Sequence, residues 1–264
     1  MSAPALNSPR STEPSDYQDL KQPIGAMAKS YADGHHIPLH QHDRDQLLYA
    51  IRGVMRLRTE QEAWVIPSDR AVYIPAETPH SVSMHGTVDM RTLYIAAASG
   101  DKHVQTMRVL TVSNLLREMI LALSEEPVDY GADSRGDHLA RLIELELGRA
   151  EELSLSIPLP SDPRLQRLCA SILADPADRR TLDGWSQIVG ASPRTLARLF
   201  ETDLGMNFNK WRQRVRFHNA LEALSCGEPI SNVAYQNGYQ SASAFSAAFS
   251  KEMGISPSKV SSKK

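Results

Sequence analysis

Three histidines and a glutamine form the first group of side chains with clear chemical potential. His40 and His42 are two residues apart in a segment with strand character, so their imidazoles point to the same face. Gln46 follows closely, and His80 lies in a later segment that could bring a third imidazole to the pair. Three imidazoles and one oxygen suit a divalent transition-metal ion, although the neutral amide of Gln46 is a weaker ligand than a carboxylate. The same side chains could instead contact an organic effector or be purely structural, and the spacing leaves all three interpretations open.

The sequence around these residues contains two recognisable motifs. Residues 34–53 have the spacing G-x5-H-x-H-x3-E-x6-G of the first cupin motif, with Gln46 where that family has glutamate. Residues 74–80, IPAETPH, resemble the second cupin motif, which supplies the third histidine. This resemblance implies a small β-barrel in which a small-molecule effector is bound by His40, His42, Gln46 and His80. It requires no cofactor, and a divalent metal ion on His40, His42 and His80 is the alternative occupant.

The second group is a pair of matching segments near the C-terminus. Residues 192–209 and 241–258 align without a gap at a constant offset, and each begins with a serine that can cap a helix. Each then places apolar residues at helical spacing and closes on a glycine, Gly205 or Gly254. A shorter helical pattern and a glycine-containing turn precede each segment. The pattern therefore predicts two helix-turn-helix units, whose second helices enter the major groove of DNA, joined by a longer helix over residues 208–224.

The outward positions of the two recognition helices are the candidates for reading DNA. The residues expected to contact it are Arg194, Thr195, Ala197, Arg198, Gln240, Ser243 and Ser246. Arg194 and Arg198 are four residues apart and thus share a face, and arginine on guanine is the commonest specific base contact. The second helix has only short hydroxyl and methyl groups there. Three arginines of the joining helix are further candidates for phosphate contacts, namely Arg212, Arg214 and Arg216, although Arg216 fits an ion pair within the domain equally well.

The distribution of charge separates a DNA partner from an all-helical repeat without one. Residues 162–264 contain 14 Lys and Arg against 9 Asp and Glu, whereas the remainder contains 15 against 22. A nearly neutral chain therefore combines a basic module with an acidic one. This asymmetry is typical of a protein in which one part meets phosphates, and it favours the DNA-binding interpretation.

The C-terminal hundred residues resemble the DNA-binding domain of the AraC/XylS family of transcription regulators. The resemblance is carried by the segments SPRTLARLF, GMNF, GYQSASAF and GISP. It implies a sequence-specific regulator under the control of a small effector, since cupin sensor domains are frequent N-terminal partners of this module. Residues 159–165 and 181–185 are more weakly similar to a subgroup that includes regulators of nitroimidazole resistance and drug efflux, which suggests an efflux or metabolic gene as the target. The expected partners are double-stranded promoter DNA, the effector, RNA polymerase for an activator, and a second copy of the chain, with no membrane.

An enzyme is the alternative function, because metal-containing cupins include dioxygenases and isomerases. Such a protein would be a metal-dependent cupin enzyme fused to a DNA-binding module. Its site would need an open metal position and a positioned acid or base. The sequence offers the histidines but no further acid–base group, so we expect no catalytic residues and no enzymatic activity.

The predicted fold class is α+β with several domains. A disordered tail (residues 1–22) precedes a cupin-like β-barrel (23–107), a helical segment with linker (108–158) and an all-α DNA-binding domain with two helix-turn-helix units (159–264). The amphipathic helices of the third part could pack on the barrel, while the family resemblance implies that they form a dimer interface. No apolar run approaches a membrane span and the N-terminus lacks a signal-peptide core, so we expect a cytoplasmic protein.

Overall fold

The computed structural model describes residues 11–96, 106–153 and 156–261. Its contacts divide the chain into two compact units. The first consists of Met1–Met55 and Ile66–Ser154, and the second of Arg56–Val65 and Leu155–Lys264. The parts of the predicted domains that fall on residues 1–10, 97–105, 154–155 and 262–264 lie outside the described residues.

An antiparallel sheet forms the body of the first unit. The strands of the described residues are β1 (Ile24–Tyr31), β2 (His36–His40), β3 (Asp45–Arg58), β4 (Glu62–Ile66), β5 (Arg70–Ile74), β6 (His80–Ile95), β7 (Arg108–Thr111), β8 (Glu152–Leu153) and β9 (Ile157–Pro158). Their order is β1-β6-β3-β5-β7-β8, with β2 paired to β6. The last residues of β3, most of β4 and all of β9 belong to the second unit. The antiparallel cupin sheet predicted from the motifs is confirmed.

Two glycines lie within long strands, although glycine commonly ends a strand. The segments separated at Gly53 and Gly86 are continuous in β3 and β6. Gly53 has a φ of +84°, and a Cβ atom there would lie 2.5 Å from the carbonyl oxygen of Thr87. Only glycine combines this backbone conformation with so close an approach, so the glycine bends the strand instead of ending it.

The N-terminal segment is more ordered than its composition predicts. Residues 11–22 include a 3-10 helix, Pro14–Tyr17, and the Tyr17 side chain is fully buried with its ring 5.5 Å from that of Tyr94. The Arg44 guanidinium donates a hydrogen bond to a carbonyl of this segment, that of Leu20 (2.7 Å). The expectation of a disordered tail is therefore wrong for residues 11–22. One buried tyrosine anchors a segment that otherwise consists of Pro, Ser and charged residues.

The helices α1 (Asn114–Leu123) and α2 (Arg135–Leu147) follow the sheet. Their inner faces pack on it through buried residues such as Ile120 and Ile143. Their outer faces expose three leucines: Leu115, Leu142 and Leu145. The helical segment predicted to start at residue 108 begins later, because residues 108–111 pair with β5 as strand β7.

The second unit is helical, and the helices predicted from the repeat are confirmed. The helices of this unit in the described residues are α3 (Pro163–Ala174), α4 (Leu182–Val189), α5 (Pro193–Leu204), α6 (Phe208–Ser225), α7 (Ile230–Gln236), α8 (Ala242–Met253) and α9 (Pro257–Ser261). Those predicted from the repeat are α4 to α8. Both α5 and α8 begin after a serine whose hydroxyl accepts a hydrogen bond from the third helical N–H. Both end at a left-handed glycine, with φ of +66° at Gly205 and +67° at Gly254.

The core of the second unit extends beyond the boundary predicted at residue 159. Ile157 is buried in the same cluster as Trp211, and β9 pairs with β4 through Ile157 and Ala63. The indole N–H of Trp211 donates to the carbonyl of Pro158 at 2.9 Å. The proline-rich segment that reads as a linker therefore supplies a strand to this unit. None of the helices in the described part of the chain has both the length and the apolar character needed to cross a membrane.

Candidate effector site and nucleic-acid interface

Strand pairing brings the three predicted histidines together. His40 at the end of β2 lies opposite His80 at the start of β6, and their ring centroids are 4.4 Å apart. His42 follows two residues after the end of β2, with its ring 4.8 Å from that of His40. One ligand nitrogen from each of the three rings lies within 4.8 Å of the others. The cluster predicted from the motifs is thus formed by the fold.

The orientation of two of these rings is fixed by backbone carbonyls. His40 Nδ1 lies 2.8 Å from the carbonyl oxygen of Pro38, and His80 Nδ1 lies 2.8 Å from that of Thr78. A carbonyl can only accept, so each Nδ1 carries the proton and each Nε2 of the neutral ring keeps a lone pair. The Nε2 atoms of His42 and His80 are buried and have no hydrogen-bond partner among the described residues. Such buried polar atoms call for a ligand, because an unmatched polar atom away from water is costly.

Two rings of the cluster, those of His42 and His80, are held in their uncharged form. Burial, followed by the neighbouring His40 and His80, lowers the pKa of His42 to about 4. Burial also lowers the pKa of His80 to about 4, and outweighs the opposite effect of its bond to the Thr78 carbonyl. Both rings are consequently neutral near pH 7 and can act as acceptors or metal ligands.

Gln46 is the fourth predicted member, and it is almost completely buried in β3. Its Nε2 donates to Thr92 Oγ1 (3.1 Å), and that hydroxyl donates to the Leu47 carbonyl (3.2 Å). Since the Thr92 proton is used in this way, its oxygen accepts the amide N–H of Gln46. The Gln46 Oε1 atom is buried and has no hydrogen-bond partner in the part of the chain that the structure describes.

The four residues line one cavity of about 340 Å³. This volume lies at the lower end of the range for small-molecule sites, roughly 300–1,000 Å³. Apolar side chains contribute much of its wall: Met27, Ile37, Leu48, Val82 and Met90. Lys29, Tyr31 and Tyr94 also line it, as does Pro14 from the N-terminal segment. The N-terminal contribution was missed from the sequence, because nothing local in a Pro/Ser-rich tail signals a place on a cavity wall.

The first recognition helix, α5, presents its predicted DNA-reading side chains outward. Arg194, Ala197 and Arg198 are exposed, whereas Leu196, Leu199 and Phe200 are buried. Thr195 is half-buried, and its hydroxyl lies 2.9 Å from that of the capping Ser192. Neither arginine has a hydrogen bond or ion pair within the described part of the chain, so both guanidinium groups are available.

The second recognition helix, α8, differs from α5 as predicted, because its outward positions carry no arginine or lysine to match Arg194 and Arg198. Ser243 is exposed and Ser246 half-buried, and the preceding Gln240 is exposed at the turn. The Ser243 hydroxyl lies 3.2 Å from that of the capping Ser241. This surface can offer hydroxyl and amide groups to DNA, but its exposed cation, Lys251, lies near the end of the helix.

The three arginines of α6 that were expected to contact phosphates are bonded within the second unit. Arg212 donates to the carbonyl of Arg180, Arg214 to that of Ser156, and Arg216 to those of Pro176 and Asp178. Arg214 also lies 3.5 Å from a carboxylate oxygen of Glu252. These side chains tie α6 to neighbouring loops. Two residues that sequence reasoning missed, Lys210 and Gln213, are exposed beside them in a polar groove that also reaches the turn before α8.

Comparison with known proteins finds a matching domain family for each half of the chain. A model of the helix-turn-helix domain matches residues 185–263, and a model of the cupin domain matches residues 29–96. The HTH-type transcriptional regulator NimR of Escherichia coli K12 is 30% identical over 220 residues, which cover 83% of this chain and 80% of NimR. The chain belongs to the AraC family of transcription regulators.

This AraC-family chain is a DNA-binding transcription regulator with a cupin sensor domain, and not an enzyme. The arabinose operon regulatory protein of Escherichia coli K12 is 34% identical to it over 119 residues, 44% of this chain and 41% of the relative. Among solved structures, ToxT of Vibrio cholerae matches 92% of this chain and 99% of its own at 12% identity, with a TM-score of 0.39.

Proposed function

We propose that this AraC-family regulator is a cytoplasmic dimer that binds promoter DNA through both helix-turn-helix units and is controlled by a small molecule in its cupin cavity. The observation that supports control by a ligand is a set of buried polar atoms on the cavity wall, namely His42 Nε2, His80 Nε2 and Gln46 Oε1, each without a hydrogen-bond partner among the described residues. A sensor that needed only a packed core would have no reason to keep three such atoms. A ligand that matches them would stabilise the sensor and thereby change its state.

A divalent transition-metal ion fits this cluster, and we include it in the proposal. The donors are three imidazoles with converging ligand atoms, and two of them have the Nδ1–carbonyl bonds that commonly orient metal-binding histidines. His40, His42 and His80 would hold the ion, with Gln46 as a neutral neighbour. When bound, it would provide a strong positive charge and open positions at which the effector can attach.

The proposed dimer uses the outer faces of α1 and α2. Leu115, Leu142 and Leu145 are 58%, 49% and 66% exposed, although helices normally bury leucine. The opposite faces of the same helices already pack on the sheet. The sequence left open whether these helices pack on the barrel or form a dimer interface. In this proposal they do both, because the inner face packs on the sheet and the outer face contacts a second copy.

The proposed target is a promoter of an efflux or metabolic gene. Two observations support this target: the overall similarity to NimR, and the similarity of residues 159–165 and 181–185 to the subgroup that includes regulators of nitroimidazole resistance and drug efflux. At such a promoter the chain would act together with RNA polymerase.

Selection from a random duplex library with the purified full chain tests the proposal. The expected result is an enriched motif with two elements, one for each recognition helix, and binding that weakens steeply with added salt as counterions are released. Repetition with and without divalent metal, and with small-molecule pools, measures the control by the cupin. Failure to enrich any sequence at low salt would overturn the proposal of operator binding.

A further inference from the structure

The cavity of the sensor domain contains almost no formal charge. Among the described residues that line it, none is a carboxylate, and Lys29 is the only lysine or arginine. The Lys29 ammonium lies 3.5 Å from a carboxylate oxygen of Glu13 and also donates to the carbonyl of Thr12. The Glu13 side chain is 67% exposed, so water screens much of its charge.

Gln46 is responsible for the missing negative charge. It occupies the position at which the cupin motif has glutamate. The amide group of glutamine and the carboxylate group of glutamate have nearly the same shape. The Thr92 hydroxyl donates to the Leu47 carbonyl and accepts the amide N–H of Gln46. The Oε1 atom of Gln46 is therefore the atom available to bind a metal ion. The side chain thus keeps the geometry of a ligand and lacks its charge.

This neutrality determines what must accompany a metal ion. A divalent ion on three uncharged imidazoles and an amide would keep both of its positive charges inside a cavity with largely apolar walls. Charge buried in such surroundings is costly unless an opposite charge balances it. Since the lining residues provide no carboxylate, an anion that enters from solution is the available source of that balance.

We propose that Gln46 makes the cavity selective for a small organic anion, a carboxylate or a group of equal charge, that binds beside the metal ion. This inference rests on the effector and metal site proposed above, and it names the chemical class of the effector. The apolar wall around Met27, Leu48, Val82 and Met90 would contact the carbon skeleton of the anion. The positive charge of Lys29 would also favour a negatively charged ligand.

The test uses the full chain loaded with Co²⁺, whose visible absorption reports changes in its ligands. Benzoate and benzamide serve as probes, because they match in shape and differ in charge. Benzoate should change the spectrum saturably, and benzamide should require a concentration at least ten-fold higher. A change in thermal stability of the loaded protein, measured with the same two probes, provides a second reading.

A Gln46→Glu variant tests directly whether the neutral side chain of Gln46 causes the selectivity for anions. Its carboxylate should retain or tighten Co²⁺ binding and weaken the benzoate response at least ten-fold, because the site then balances the charge itself. Gln41→Glu is the matched control: Gln41 is exposed and outside the cavity lining, so the same added charge should leave the benzoate response within two-fold of the wild type.

The outcomes separate this inference from the proposal on which it rests. Co²⁺ binding with equal responses to benzoate and benzamide, or with a Gln46→Glu variant that responds like the wild type, would overturn the selectivity for anions and leave the metal site standing. Absence of Co²⁺ binding would overturn both the metal site and this inference. Neither result would affect DNA binding by the second unit, which is measured separately.

Discussion

His40 and His80 lie opposite each other in the β2–β6 pair, and each donates its Nδ1 proton to the carbonyl two residues earlier in the chain. The same local bond, made on two strands, therefore sets both rings in one tautomer. With His42 beside them, the pairing places three Nε2-bearing rings at one point of the cavity wall. This arrangement leads to a direct prediction about metal content.

Replacement of any of the three clustered histidines by alanine should lower the affinity for divalent transition metal by at least about ten-fold, since each supplies one donor. Metal content after dialysis, measured for His40→Ala, His42→Ala and His80→Ala, checks this. His138→Ala is the control, because His138 is exposed on α2 and bonded only to its own helix. Equal metal content in all four variants and the wild type would remove the metal from the account.

The two recognition helices should contribute unequally to DNA binding. Arg194→Ala or Arg198→Ala should cost about 1–3 kcal/mol in binding free energy, because a guanidinium on a base edge or phosphate is lost. Ser243→Ala or Ser246→Ala should cost less, about 0.5–1.5 kcal/mol for a neutral hydrogen bond. Titrations of these four variants with operators scrambled in one half at a time measure the difference. Larger losses from the serine variants would assign the principal readout to α8 instead of α5.

The residues before the predicted linker boundary should stabilise the DNA-binding unit. A fragment of residues 156–264 includes Ile157, which is buried in the full chain, and both partners of the Trp211–Pro158 hydrogen bond, whereas a fragment of residues 159–264 lacks Ile157 and Pro158. The longer fragment should unfold with a free energy higher by about 2 kcal/mol, from the burial of one aliphatic side chain and one hydrogen bond. Urea unfolding of both fragments provides the comparison. Identical midpoints and slopes would show that β9 contributes nothing to this unit.

The exposed leucines of α1 and α2 should hold the dimer together. Leu145→Asp should convert the protein to monomers at micromolar concentration, because a charge placed in an apolar interface is desolvated without a partner. Leu39→Asp is the matched control, since Leu39 is 69% exposed on β2, away from these helices. Analytical ultracentrifugation distinguishes the two. A wild-type protein that is already monomeric, or a Leu145→Asp variant that remains dimeric, would contradict the assignment of this face.

The features predicted correctly from the sequence are those encoded by neighbouring residues. The capping serines, the helical spacing of the apolar residues and the closing glycines Gly205 and Gly254 defined α5 and α8 almost to the residue. The histidine cluster was likewise predicted, because a motif preserves spacing along the chain that the sheet register converts into proximity.

The features missed depend on contacts between residues distant in sequence. The burial of Tyr17 against Tyr94 orders a segment whose composition indicates disorder. For Arg216 the sequence left a phosphate contact and an ion pair within the domain open, and the side chain instead bonds the carbonyls of Pro176 and Asp178, some forty residues earlier. Neither partner is visible in local patterns, because hydrogen bonds to backbone carbonyls leave no signature in the identity of the accepting residue.

Hydroxyl-radical footprinting of the full chain on its selected operator tests the central claim most directly. If both helix-turn-helix units read one duplex, protection should appear in two segments about one helical turn, roughly 34 Å, apart within each half-site. Arg194→Ala together with Arg198→Ala should abolish protection in one segment only, because α8 would still occupy the other. A single protected segment that disappears completely in this variant, or uniform protection without sequence preference, would contradict the account of two cooperating recognition helices.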